Sequence, residues 1–119
     1  MLLITHRGMK MKTALRQPYR QFFGTLGNQV RLDIMETLMR KESNVSKIVD
    51  KLSYDQTTVS HSLSRLEECG FVSVKKKGKE RIYALNKTTI EPLFKLMNTH
   101  MRNYCRHVVA RKEGGKCHQ

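Results

Sequence analysis

Residues 53–85 read SYDQTTVSHSLSRLEECGFVSVKKKGKERIYAL, and the fold follows from how this stretch divides. Asp55 is placed to cap a helix, because its carboxylate can accept from the unpaired N–H groups of a first turn. Val59, Leu63 and Leu66 then recur at i, i+4 and i+7, which gives one narrow apolar stripe. The opposite face carries Thr57, Ser60, His61, Ser64 and Arg65, none of them able to build a core. Gly70 stops the helix, as glycine does where the chain needs a left-handed residue. Residues 71–74 and 81–85 read as strands, and Lys77-Gly78-Lys79 supplies the turn between them.

Working outward, residues 12–23 read as a first helix, interrupted or restarted near Pro18, with residues 24–27 a loop. Asn28 can cap a second helix with Val30, Ile34, Met35 and Leu38 on its inner side, leaving Arg31, Asp33 and Arg40 to water. Ser43 or Asn44 caps a shorter third helix with Val45, Ile48, Val49 and Leu52 inside. Residues 53–54 are then a tight turn into the Asp55 helix. Two short helices so joined, the second capped and hydroxyl-faced, make a helix-turn-helix. Thr88 or Thr89 caps a last helix, expected to run to about Ala110, with Pro92 tolerated in its first turn. Its apolar stripe (Leu93, Leu96 or Met97, His100 or Met101, Tyr104, Val108) outruns the core of a small domain. Such a surplus usually meets its own copy, which makes Leu93, Met97, Met101, Tyr104 and Val108 the expected homodimer interface.

The expected fold class is mainly α with a two-stranded β wing (α+β), a winged helix-turn-helix in the order ααααββα. One domain is expected over residues 12–111, after a flexible lead at 1–11 and before a basic tail at 112–119. At 119 residues and 39% hydrophobic content the chain suits one globular domain. No apolar run approaches the roughly 20 residues that span a bilayer, and residues 1–4 are too short for a secretion signal. A cytoplasmic location is the expectation. Gly-rich phosphate loops, HExxH and nucleophile elbows are missing from the sequence, which disfavours an enzyme.

Charge placement points to a partner. The net charge is +13, and residues 1–20 hold five basic groups and no acid, while residues 95–119 hold six and one. Between them, Lys75, Lys76, Lys77, Lys79 and Arg81, offset by Glu80, carry the positive charge, and the rest of the middle is slightly acidic. A hydroxyl-faced helix followed by a lysine-rich hairpin suits the major groove and flanking phosphates of double-stranded DNA.

The pattern resembles the ArsR/SmtB family of small dimeric winged-helix repressors over roughly residues 19–108. Residues 26–32 (LGNQVRL) are similar to the family's helix opening, and residues 56–66 (QTTVSHSLSRL) to its recognition helix. Gly70-Phe71-Val72, the charged wing and Tyr83-Ala84-Leu85 continue in register. The resemblance implies that Thr57, Ser60 and His61 contact bases or nearby phosphates, with Gln56, Thr58, Ser64 and Arg65 on the same helix. Hydroxyls serve either partner, and a histidine can donate to a guanine edge. The wing residues Lys75, Lys76, Lys77, Lys79 and Arg81 would then meet phosphate, independent of sequence and sensitive to salt.

Family members commonly release DNA when a metal or an oxidant acts on them. A Cys-x-Cys pair near the recognition helix is missing here, since residues 45–62 hold no cysteine. The family's Asp-x-His site on the last helix is not reproduced either: Asn98 replaces the carboxylate before His100, and Arg111 stands where a second histidine is expected. The remaining donors are His100, Cys105, His107, Cys117 and His118, a set suited to Zn(II) or another thiophilic transition metal. Redox pairing of Cys105 with Cys117 or with its symmetry mate competes, as does regulation without a ligand. A protein-interaction module or a non-specific nucleic-acid coat would also use this composition.

Overall fold

The structure, a computed structural model, describes residues 13–105. The expected lead at 1–11 and tail at 112–119 lie outside the described residues, as do His107, Val108, Cys117 and His118. Five helices and one hairpin follow in the expected order: α1 (Thr13–Leu26), α2 (Gln29–Arg40), α3 (Val45–Leu52), α4 (Gln56–Glu68), β1 (Val72–Lys77), β2 (Glu80–Leu85) and α5 (Ile90–Tyr104).

Three of the helices begin on the side chains that the sequence nominates. Asn28 Oδ1 accepts from Arg31 N at 3.0 Å, Asn44 Oδ1 from Lys47 N at 2.8 Å, and Asp55 Oδ1 from Thr58 N at 2.9 Å. Each satisfies a donor that a helix start leaves orphaned. The fourth differs from expectation. Thr89 occupies the cap position of α5 without a side-chain bond. Asn86 takes over, its Oδ1 accepting from Thr88 N and Thr89 N while its Nδ2 donates to Gly70 O. The start of α5 is thereby tied to the end of α4, a link that a threonine side chain is too short to make.

α1 also departs from the sequence reading. It is one continuous helix that includes Pro18 and runs through Gly24 to Leu26. Pro18 is on the exposed side, where water can serve the carbonyl left without a donor four residues earlier. The final turn persists because Thr25 and Leu26 are buried, so packing holds what glycine would otherwise loosen.

The core gathers around α4. Val59, Leu63 and Leu66 are fully buried, together with Ile34 and Met35 of α2, Ile48 of α3 and Phe71 beyond α4. Each such side chain contributes about 1.5–3 kcal/mol by leaving water. Phe22 of α1 stacks on Phe71 with ring centroids 5.1 Å apart, which seats α1 on the same core. Gly70, at φ +76°, makes the left-handed step that turns the chain from α4 into β1.

The hairpin is longer than expected. β1 continues past Val74 to Lys77, in register with β2 from Val72↔Leu85 to Lys77↔Glu80. The turn is therefore two residues, Gly78 and Lys79, with Gly78 at φ +69°. Val72, Tyr83 and Leu85 face the core, while the lysines project beyond it. β2 has a second neighbour: Ser43 donates to Tyr83 O at 3.1 Å and accepts from Tyr83 N at 2.8 Å. The loop before α3 thus fastens the wing to the helix-turn-helix.

Candidate nucleic-acid interface

α4 stands with its apolar stripe inward, which leaves Gln56, Thr57, His61 and Ser64 exposed and Thr58 and Ser60 half-buried. Ser62, on the inner side, is buried. The hydroxyl and imidazole face predicted for base contact is therefore presented as one surface. Its first turn is held by Asp55, whose carboxyl lies below its ordinary value of 3.8 chiefly because it accepts from Thr58. The turn before it is also fixed. Ser53 adopts φ +67°, and Tyr54 donates its phenol to Asp33 Oδ2 at 2.6 Å. That bond is the main cause of a raised Tyr54 pKa.

The wing places Lys75, Lys76, Lys77, Lys79 and Arg81 in solvent. Among the described residues the one side-chain ion pair is Lys95–Glu91 in α5, at 3.9 Å. The wing cations thus make no ion pair among the described residues. Paired residues on an antiparallel hairpin share a face, so Lys76 and Arg81 lie on one side of the wing and Lys75 and Lys77 on the other.

Arg65 stands apart from its expected place. It is half-buried, and its Nε donates to Thr25 Oγ1 at 3.3 Å. Thr25, fully buried, also has its hydroxyl 3.5 Å from Cys69 Sγ, and its carbonyl accepts from Arg31 Nε at 2.9 Å. Arg31 and Asp33, expected to face water, are both half-buried and engaged. A lone threonine in the run Gly24-Thr25-Leu26-Gly27 carries no local signal for this role. Cys69 closes α4, its N–H donating to Arg65 O.

Of the expected metal donors, His100 and Cys105 are described. The His100 ring lies against Tyr104, centroids 4.9 Å apart, which agrees with their sharing a helix face. Cys105 closes α5, its N–H donating to Met101 O at 3.0 Å. Among the described residues no three His, Cys, Asp or Glu side chains come together as a metal site. The expected interface residues divide by position: Leu93 and Met97 are half-buried against the core, whereas Met101 and Tyr104 are exposed. Leu96 is exposed as well, and so are Tyr19 and Phe23 on α1, which the sequence reading did not include.

Known proteins share this arrangement. The sequence model of the ArsR family of bacterial regulatory proteins matches residues 28–74, from the start of α2 into β1. An HTH-type transcriptional regulator of Methanocaldococcus jannaschii is 32% identical over 79 residues, which span 66% of this chain and 89% of that protein. The chain belongs to the ArsR family. The probable mercury resistance operon repressor of Streptomyces lividans is 30% identical over 76 residues, 64% of this chain and 61% of that protein. Among solved structures, the homodimeric winged helix-turn-helix DNA-binding domain of a possible ArsR-family regulator from Mycobacterium bovis superposes with a TM-score of 0.74. It is 24% identical and covers 87% of this chain and 95% of that one. That likeness establishes the winged helix-turn-helix fold. As an ArsR-family member the chain is a transcriptional regulator, and its relatives are regulators rather than enzymes. No helix among the described residues is long and apolar enough to cross a membrane.

Proposed function

We propose that this ArsR-family regulator acts as a homodimeric repressor on a palindromic operator. The observation that carries the reading is the exposed Thr57, His61 and Ser64 face of α4 beside a wing whose lysines have no ion-pair partner among the described residues. α4 would enter the major groove, and Lys75, Lys76, Lys77, Lys79 and Arg81 would meet flanking phosphates. Leu96, Met101 and Tyr104 on α5, with Tyr19 and Phe23 on α1, offer the apolar surface for a second copy. The homodimeric state of the M. bovis domain supports this. The mercury resistance repressor supports repression. Two-fold symmetry sets the half-sites about one helical turn, roughly 34 Å, or a multiple of it apart.

The test is fluorescence anisotropy on a duplex selected by the protein from a random-sequence pool, against a scrambled duplex at the same salt. His61→Ala and Ser60→Ala should erase the preference and leave scrambled-duplex affinity mostly intact. Preference that survives both changes would remove α4 from base recognition. The same titration with Zn(II), Cu(I) and a chelator tests metal release through His100 and Cys105, with His107, Cys117 and His118. An oxidant arm tests the thiol alternative.

A further inference from the structure

Glu80 stands where a carboxylate opposes the charge of its own segment. Lys75, Lys76, Lys77, Lys79 and Arg81 surround it in sequence, and Lys77 is its partner in the hairpin register. An acid there subtracts from the positive field that phosphate would meet. The simple expectation is a cross-strand ion pair with Lys77. Glu80 makes no such pair; its Oε2 accepts from Asn44 Nδ2 at 3.0 Å, on the far side of the helix-turn-helix boundary.

Asn44 uses both ends of its amide. Its Oδ1 accepts from Lys47 N and starts α3, while its Nδ2 reaches the wing. The residue before it, Ser43, exchanges two backbone hydrogen bonds with Tyr83. β2 is therefore fastened to the helix-turn-helix at its middle through Ser43 and near its tip through Asn44. The second attachment matters because a two-stranded hairpin is marginal by itself. A six-residue strand is about 20 Å long, so a tilt of about 10° at its base carries the tip about 3 Å. That distance is enough to break a contact with phosphate.

We propose that Asn44 and Glu80 are positioning residues that hold the wing at the angle at which its lysines reach phosphate while α4 is seated in the groove. The proposal rests on the DNA-binding reading above. It assigns to a residue pair outside α4 a share in choosing the site, since only a correctly seated recognition helix is rewarded by the wing.

Charge and position predict opposite signs at Glu80, which makes the proposal testable. The full-length protein and three variants are compared on the selected and scrambled duplexes at fixed salt. Glu80→Gln removes the charge and keeps an acceptor, so both affinities should rise and their ratio should hold. Glu80→Ala removes both, so scrambled-duplex affinity should rise equally while the ratio falls about fivefold, the order of one net hydrogen bond. Asn44→Asp keeps the cap but loses the donor and sets a second carboxylate against the first. Its ratio should fall without any gain on the scrambled duplex. Ethylation interference should show flanking-phosphate contacts weakened in the Ala and Asp variants and retained in the Gln variant.

Equal ratios in the native protein, Glu80→Gln and Glu80→Ala would overturn the proposal, leaving Glu80 a charge and nothing more. A native protein with no preference for any duplex would overturn the DNA-binding reading and this one with it. Thermal unfolding controls for the cap at Asn44→Asp, and if that variant fails to fold the two Glu80 variants decide by themselves.

Discussion

Arg65 of α4 donates through Nε to Thr25 Oγ1 over 3.3 Å, joining residues 40 positions apart. The threonine is fully buried, and it also meets Cys69 and Arg31. The end of α1, the start of α2 and the end of α4 are thus linked at one residue, α4 through the Thr25 hydroxyl and α2 through the Thr25 carbonyl. Thr25→Val keeps the shape and deletes the hydroxyl. It should cost about 1–3 kcal/mol, the usual penalty for orphaning a buried polar partner, and lower Tm by about 4–8 °C per kcal/mol. Thr25→Ser should recover most of this. A Val variant that melts like the native protein would mean that water serves Arg65 equally well.

Asp55 ties the stability of α4 to pH. Its folded-state pKa lies below the ordinary 3.8, so the ionised carboxylate is favoured by folding. The contribution is complete above the unfolded value and disappears as pH falls through the lower folded value. Urea denaturation between neutral pH and pH about 3 should show this loss for the native protein. Asp55→Asn keeps a capping oxygen and should show a smaller acid dependence. Identical slopes would assign the acid sensitivity to other carboxylates.

Tyr54 has the opposite sign. Its bond to Asp33 raises the phenol pKa above 10.0, so the neutral phenol is favoured by folding. Its contribution is complete below the unfolded value and is lost as pH rises through the higher folded value. In an ultraviolet titration an ionisation above the ordinary phenol value should disappear in Tyr54→Phe. The variant should also be less stable at neutral pH, because Asp33 loses a donor.

Gly78 meets nothing within 4 Å of an added Cβ, so its sole constraint is φ +69°. Gly78→Ala should therefore destabilise by about 1–2 kcal/mol through backbone strain alone. Gly78→Asn should cost less, since asparagine tolerates the left-handed region. Equal unfolding midpoints for the two would mean that the turn relaxes to another type.

Leu96 and Tyr104 are 66% and 71% exposed, and apolar surface left in water is unfavourable. Leu96→Glu combined with Tyr104→Glu should shift sedimentation from dimer to monomer without lowering helix content. A native protein that sediments as a monomer at tens of micromolar would refute the dimer.

The boundaries of α4 were legible because they rest on residues within one turn of one another. Asp55 caps, Val59, Leu63 and Leu66 repeat, and Gly70 steps left-handed. β1 was read too short because lysine is a poor strand former, and the three lysines after Val74 are extended by pairing with Ile82, Arg81 and Glu80. Pro18 was read as a break because local chemistry favours one, whereas burial of Thr25 and Leu26 further along holds α1 together. Arg31 and Asp33 read as solvent-facing because a helical projection does not contain Gly24 O, Thr25 O or the Tyr54 phenol.

The sequence by itself determined where helices start, which stripe of each is apolar, and that one helix carries a hydroxyl face beside a basic hairpin. These are properties of residues a turn or less apart, where chain geometry leaves little choice. The tertiary structure alone decided the polar pairs Thr25–Arg65, Asp33–Tyr54, Ser43–Tyr83 and Asn44–Glu80. Each of those groups is satisfied as well by water in an unfolded chain. Which partner replaces water depends on where packing brings a residue many positions away, and no local pattern encodes that distance.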